Sequence, residues 1–244
     1  VDSDGVYFTV DQFNQEYSRD IEPAVNSTVA DNFFMQTIGN IRKFNYSEAK
    51  HYVYPKVTVD MSKDGSEWND VKTYVDFVND CKDRNHAGMV ATLKYTDNSG
   101  RNDIETVKVA RDDEYMYFRV TCANDITSYT SGDEKWMNIL IKTDNGKNLW
   151  NGYNYVLNRS VNGDKTAVMR ATKGGSLEEC ASGEVKVYGK TMLVKVALKD
   201  LGLSSDNYHI EFKVCDNVKA YDYIELYRSG DAAPIGRLNY SFGY

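Results

Sequence analysis

The sequence predicts an antiparallel β-sandwich, and three observations predict it. From Lys56 onward, apolar residues recur at every second position, the period of a strand with one face buried and one facing water. The runs are separated by turns rich in Gly, Asn and Asp, without interleaved helical patterns. Aromatic residues are many and prolines few, 19 Tyr, 9 Phe and 3 Trp against 3 Pro, a balance that suits sheet. At 244 residues the chain has room for one domain or two.

Taken in order, Val6 to Val10 is a short apolar run fit for a buried strand. A helix is predicted from Asp31, a good N-cap, to Phe44, because Phe34, Ile38 and Ile41 fall on one face. The polar stretch Asn45 to Pro55 marks a boundary, giving a strand–helix segment over 1–45 and a sandwich over 46–244. Strands are predicted at 56–60, 89–95, 105–110, 115–122, 136–143, 153–158, 166–171, 184–188, 191–197, 208–214 and 222–228. The alternation is clearest in three of them. Met116, Phe118 and Val120 alternate with Tyr117, Arg119 and Thr121; Met137, Ile139 and Ile141 with Asn138, Leu140 and Lys142; Ile210, Phe212 and Val214 with Glu211 and Lys213. Tyr188, Gly189 and Lys190 form a tight hairpin turn between two strands.

Composition excludes several classes of function. The 36 acidic and 29 basic residues leave a net charge of −7, which repels a phosphate backbone, so nucleic acid is not an expected partner. No apolar run approaches the roughly 18 residues of a membrane span, so no membrane insertion is expected. Val1 to Gly5 has neither the basic nor the apolar part of an export signal, and localisation must be read from elsewhere. Cys81, Cys122, Cys180 and Cys215 lack C-x-x-C spacing; Cys122 falls on an apolar strand face and reads as a buried reduced thiol.

Catalytic signatures are absent. His51, His86 and His209 stand in no zinc pattern and read as surface residues. Asp112, Asp113 and Glu114, like Glu178 and Glu179, are adjacent acids that point apart on an extended chain and cannot flank one glycosidic bond. No catalytic residue is assigned. Asp60 to Gly65 resembles a calcium loop without completing the twelve-residue pattern, and Asp97, Asp103 and Asp144 are the candidate ligands of a structural calcium ion, the sole cofactor expected.

What remains is aromatic. Trp136 opens a strand opposite the core-facing Met137, and Trp150 and Tyr153 lie in a polar turn leading into the next strand. Sugar rings stack their C–H faces on aromatic planes and hydroxyls need polar neighbours, so Trp136, Trp150, Tyr153 and Asn138 are the candidate carbohydrate-binding residues.

The stretch Val107 to Asp125, with Asp113 at a hairpin before the Tyr117-Phe118 strand, resembles the family-9 carbohydrate-binding modules and the related DOMON-type sandwiches. Lys135 to Asp144 is similar to their next strand, which starts after a Trp and ends in Asp, and the likeness extends to Trp150 to Tyr153 and to Gly230 to Tyr240. Phe13 to Pro23 and Asp31 to Phe34 resemble the last strand and helix of a preceding (β/α) barrel, with Glu16, Asp20 and Glu22 as its acids. One βα unit builds no barrel active site. The resemblance implies a non-catalytic module that binds polysaccharide or oligosaccharide, at the cell surface or outside the cell, beside an upstream catalytic barrel. A structural domain that packs on such a barrel without its own ligand is the alternative. A haem-binding carrier would need axial Met and His ligands, and an enzyme acting alone is disfavoured.

Overall fold

In the computed structural model the described residues are 54–76, 78–81, 83–87, 94–222, 225–236 and 238–243. The expected strand at Val6 to Val10, the helix from Asp31 to Phe44, the barrel-like segments, the boundary after Asn45 and the run 89–93 lie outside them. Among the described residues thirteen strands and one short α-helix follow in chain order, besides 3-10 turns at Ser66–Trp68 and Leu198–Leu201: β1 Thr73–Val75, β2 Arg84–Ala87, β3 Lys94–Asp97, β4 Ile104–Arg111, β5 Tyr115–Cys122, β6 Asn138–Thr143, β7 Tyr155–Asn162, β8 Lys165–Ala171, β9 Leu177–Tyr188, β10 Thr191–Ala197, β11 Ile210–Asp216, α1 Glu225–Arg228, β12 Asp231–Ala233 and β13 Tyr240–Phe242.

All strand pairs are antiparallel. Among the described residues, eleven strands form one sheet in the order β1-β4-β5-β10-β9-β8-β7-β6-β11-β12, with β13 also on β11, and β2 pairs with β3 apart from it. The two ends of this sheet meet. The Tyr74 hydroxyl of β1 donates to the Ser241 carbonyl of β13 (2.6 Å), and the Tyr240 hydroxyl donates to the Val75 carbonyl (2.9 Å). The sheet therefore curls onto itself as a mostly β, sandwich-like body. Its main core lies inside the curl, where Tyr74, Phe118, Phe212, Tyr240 and Phe242 touch. The alternating residues Met116, Phe118 and Val120 face this core as expected, and Cys122 ends the row as a buried free thiol.

Two smaller clusters lie on outer faces. One gathers Leu140, Tyr153, Val156 and Tyr221 behind β6 and β7. The other forms where the segment from Val57 to Trp68 crosses β4, β5 and β10, laying Val59, Met61 and Trp68 on Ala110, Tyr117 and Leu193. Strand β6 is thus covered on both faces, which is why Asn138 and Leu140 are as buried as Ile139 and Ile141.

Two expected strands are not strands. Residues 56–60 run beside β4 with a bond from the Val57 N–H to the Arg111 carbonyl (2.8 Å) and form no ladder. Within 222–228 the chain instead forms α1, because the Asp222 carboxylate accepts the Glu225 N–H (3.1 Å) and the Asp222 carbonyl accepts the Leu226 N–H (3.0 Å).

Candidate functional site

The four residues expected to bind sugar do not form one platform. Met137 takes a left-handed backbone (φ 42°), so the alternation that starts at Asn138 does not extend back to Trp136. The chain turns there and carries the Trp136 indole into the main core, 2% exposed, with its Nε1 donating to the Thr127 carbonyl (2.7 Å) and Tyr129 against its face edge-on. Trp136 therefore offers no plane to a ligand in this structure, and the expectation that it lies opposite the core is corrected.

Asn138, Trp150 and Tyr153 do come together, on the outer side of β6 and β7. Asn138 is fully buried, and the Tyr221 hydroxyl donates to its Oδ1. Tyr153 is buried too, its hydroxyl donating to Asn239 Oδ1 (2.8 Å). A tight turn through Asn151 and Gly152, both at positive φ, folds Trp150 back on Tyr153 with two backbone bonds of 2.8 and 3.0 Å. Asn138 and Tyr153 are thereby supports that fix Tyr221 and the turn. Trp150 alone of the four reaches the surface, half-buried, beside the exposed Leu149. Its ring lies 4.7 Å from Tyr221 and 5.2 Å from the Arg159 guanidinium, which pairs with Glu134.

Of the three acids expected to hold calcium, Asp144 and Asp97 are apart. Asp144 bonds His209 Nδ1 (2.8 Å) at the start of β11, whereas Asp97 pairs with Lys219 (2.8 Å) beyond its other end. A seven-residue strand spans roughly 20 Å, so the two cannot share an ion. Asp103 accepts the Asn79 N–H (2.8 and 3.0 Å) and is grouped with Cys81 and Asp231. His209, expected at the surface, is buried.

Of the adjacent acids, Asp112 and Glu178 are in use as structure. Asp112 Oδ1 accepts the Glu114 and Tyr115 N–H groups (2.9 and 2.8 Å) at the β4–β5 hairpin, its Oδ2 takes the Tyr117 hydroxyl (2.6 Å), and Glu178 pairs with Arg170. In the calcium-like loop Asp60 takes the Ser62 N–H and hydroxyl and Asp64 turns to Arg119.

A feature that sequence reasoning missed lies under that loop. A cavity of about 320 Å³ opens between the loop and the outer face of β4 and β5, lined by Asp64, Ser66, Trp68, Asn69, Lys108 and Arg119. Arg119 Nε and Nη2 each donate to Asp64 at 2.7 Å, and its Nη1 donates to Thr121 Oγ1 (2.9 Å). Lys108, paired with Arg119 across the ladder, donates to the Trp68 carbonyl (2.7 Å). Burial first, and Arg119 second, lower the Lys108 pKa from its usual value. The signal that could have found this site is a lone Trp68 within the polar run Asp64 to Asp70, a poor place for an unpacked indole.

Neither known protein families nor curated proteins give a match to this chain. Among solved structures the chain is similar to a family-9 carbohydrate-binding module from Caldicellulosiruptor kristjanssonii in complex with glucose, at 12% identity over 78% of this chain and 82% of that one, with a TM-score of 0.32. It is also similar to a family-9 module of the same organism in complex with cellotriose, at 14% identity over 70% and 76%, with a TM-score of 0.30. At those values the fold rests on the strand pairing described above.

Proposed function

We propose that this protein is a non-catalytic carbohydrate-binding module. The observation that carries the reading is the Trp150 turn: an indole held at the surface by a buried frame of Asn138, Tyr221 and Tyr153, with Arg159 and Glu134 beside it. An apolar plane next to a paired cation and anion suits a pyranose, whose ring stacks while its hydroxyls donate and accept. Its place in a glycan-active protein at the cell surface or outside the cell, with an upstream catalytic barrel, is the part of the proposal that rests on the resemblance of Phe13 to Pro23 and Asp31 to Phe34.

Affinity electrophoresis against a polysaccharide panel, with calorimetry on glucose and cellotriose, tests the proposal. Binding that weakens in Trp150→Ala by roughly 0.5–1.5 kcal/mol, the range of other aromatic stacking contacts, is the expected result. The burial of Trp136, Tyr153 and Asn138 favours the second reading, a structural domain without its own ligand. No binding across the panel would decide for that reading.

A further inference from the structure

We infer that the cavity between the 64–69 loop and strands β4 and β5 is a separate binding site, and that it takes a small hydroxylated carboxylate, a uronate residue. This goes beyond the Trp150 reading and uses none of its residues. The volume of about 320 Å³ lies at the lower end of ligand pockets, right for one sugar unit.

The hydrogen-bond balance of the lining sets the ligand's chemistry. Arg119 has five N–H groups and uses three, two on Asp64 and one on Thr121. Lys108 has three and uses one, on the Trp68 carbonyl. Trp68 is 2% exposed, and among the described residues its Nε1 has no hydrogen-bond partner. An indole N–H buried in that way is costly unless something accepts from it. The one carboxylate, Asp64, already has both oxygens taken up by the Arg119 fork. The lining therefore has donors to spare and no charged acceptor to match them.

Charge points the same way. Lys108 and Arg119 against Asp64 leave one positive charge in the lining itself, with Asp70 acting on Lys108 from outside it, on a chain whose net charge is −7. An anion here would also relieve the crowding of two cations facing each other across the ladder. A bare oxyanion would satisfy the charge alone. The Ser66 hydroxyl and Asn69 amide at the rim add groups that both donate and accept, the match for sugar hydroxyls beside a carboxylate.

The test is a titration of the whole chain with glucuronate, followed by calorimetry and by the Trp68 indole N–H resonance. Saturable binding that moves this resonance is expected, weakened about tenfold or more in Lys108→Gln and in Trp68→Phe, which keeps the aromatic ring and removes only the donor. Trp150→Ala should leave glucuronate binding unchanged while it weakens neutral glucan binding, so the two sites fail separately. The inference is overturned if glucuronate does not bind, if it binds folded Lys108→Gln and Trp68→Phe as tightly as the parent, or if acetate and inorganic phosphate bind as well as glucuronate.

Discussion

Trp136 and Trp150 are the same residue type 14 positions apart in one chain, and burial gives them opposite roles. Removing the Trp136 indole empties part of the main core and strands the Thr127 carbonyl, so Trp136→Ala should cost about 3–5 kcal/mol in urea unfolding. Trp150→Ala should cost much less stability and show its effect in glycan binding. Equal stability losses would refute that division. Sequence could not separate them, because it does not display the sign of φ at Met137 that breaks the alternation. A second residue-level prediction concerns pH. Asp231 is buried, with Asp76 and Asp80 close by, and burial first, then those two charges, push its carboxyl well above 3.8. Its folded pKa thus exceeds its unfolded one, so the folded state keeps a proton that the unfolded state has released. Stability is then highest below the unfolded pKa and falls as pH rises through the folded one. Asp64, held low first by the Arg119 guanidinium, acts with the opposite sign and only below the ordinary carboxylate pKa of about 4. From about pH 4 upward, therefore, the unfolding midpoint should fall as pH rises. Asp80→Asn, which removes the charge that raises the Asp231 pKa most, should flatten that slope, and a flat profile in the parent would count against the account.

Among the elements, those that sequence made legible are the ones long enough to repeat a pattern. Strands β4, β5, β6, β10 and β11 run six to eight residues, and their alternation locates them within two residues at either end. Strands β1, β12 and β13 have three residues each, too few to show a period, and exist because neighbouring edges accept them. The placement of β12 depends on the turn before it. Gly230 sits at φ 57°, and a Cβ there would meet the Asp216 carbonyl oxygen at 2.1 Å and the Asn217 carbonyl carbon at 2.6 Å. These are backbone atoms of the strand end that β12 pairs with, so no side chain can move aside to make room. Gly230→Ala should cost more than the roughly 1–2 kcal/mol of a left-handed residue alone, and should release β12 before the rest. Hydrogen exchange at Ala233 would show it: its N–H should lose protection in the variant while β5 and β10 keep theirs. The cavity was illegible for a related reason. Its walls come from a loop and two strands 40 to 55 residues further along, and only the fold brings Trp68 to Lys108 and Arg119.

For the whole molecule, the decisive contact is where the sheet's ends meet. A curled sheet with unjoined ends would leave β1 as an exposed edge and open the core to water there. Tyr74 and Tyr240 prevent this reciprocally, each hydroxyl donating to a carbonyl beside the other ring, with the rings 5.0 Å apart. Both side chains are buried, so losing either hydroxyl forfeits a bond worth about 0.5–1.5 kcal/mol and leaves a carbonyl short of its partner. Tyr74→Phe and Tyr240→Phe should each destabilise by at least that amount. Because the two residues touch, their effects should not add, and a double-mutant cycle should return a coupling of about 0.5 kcal/mol or more. The parent should unfold in one step, with circular dichroism and tryptophan fluorescence giving the same midpoint. In the double variant no hydroxyl bond ties the first strand to the last, so β1 and the loop carrying Trp68 can come away first. The fluorescence midpoint should then fall below that of circular dichroism. Coincident midpoints in the double variant, together with simple additivity, would mean that the packed aromatic rings alone hold the ends together.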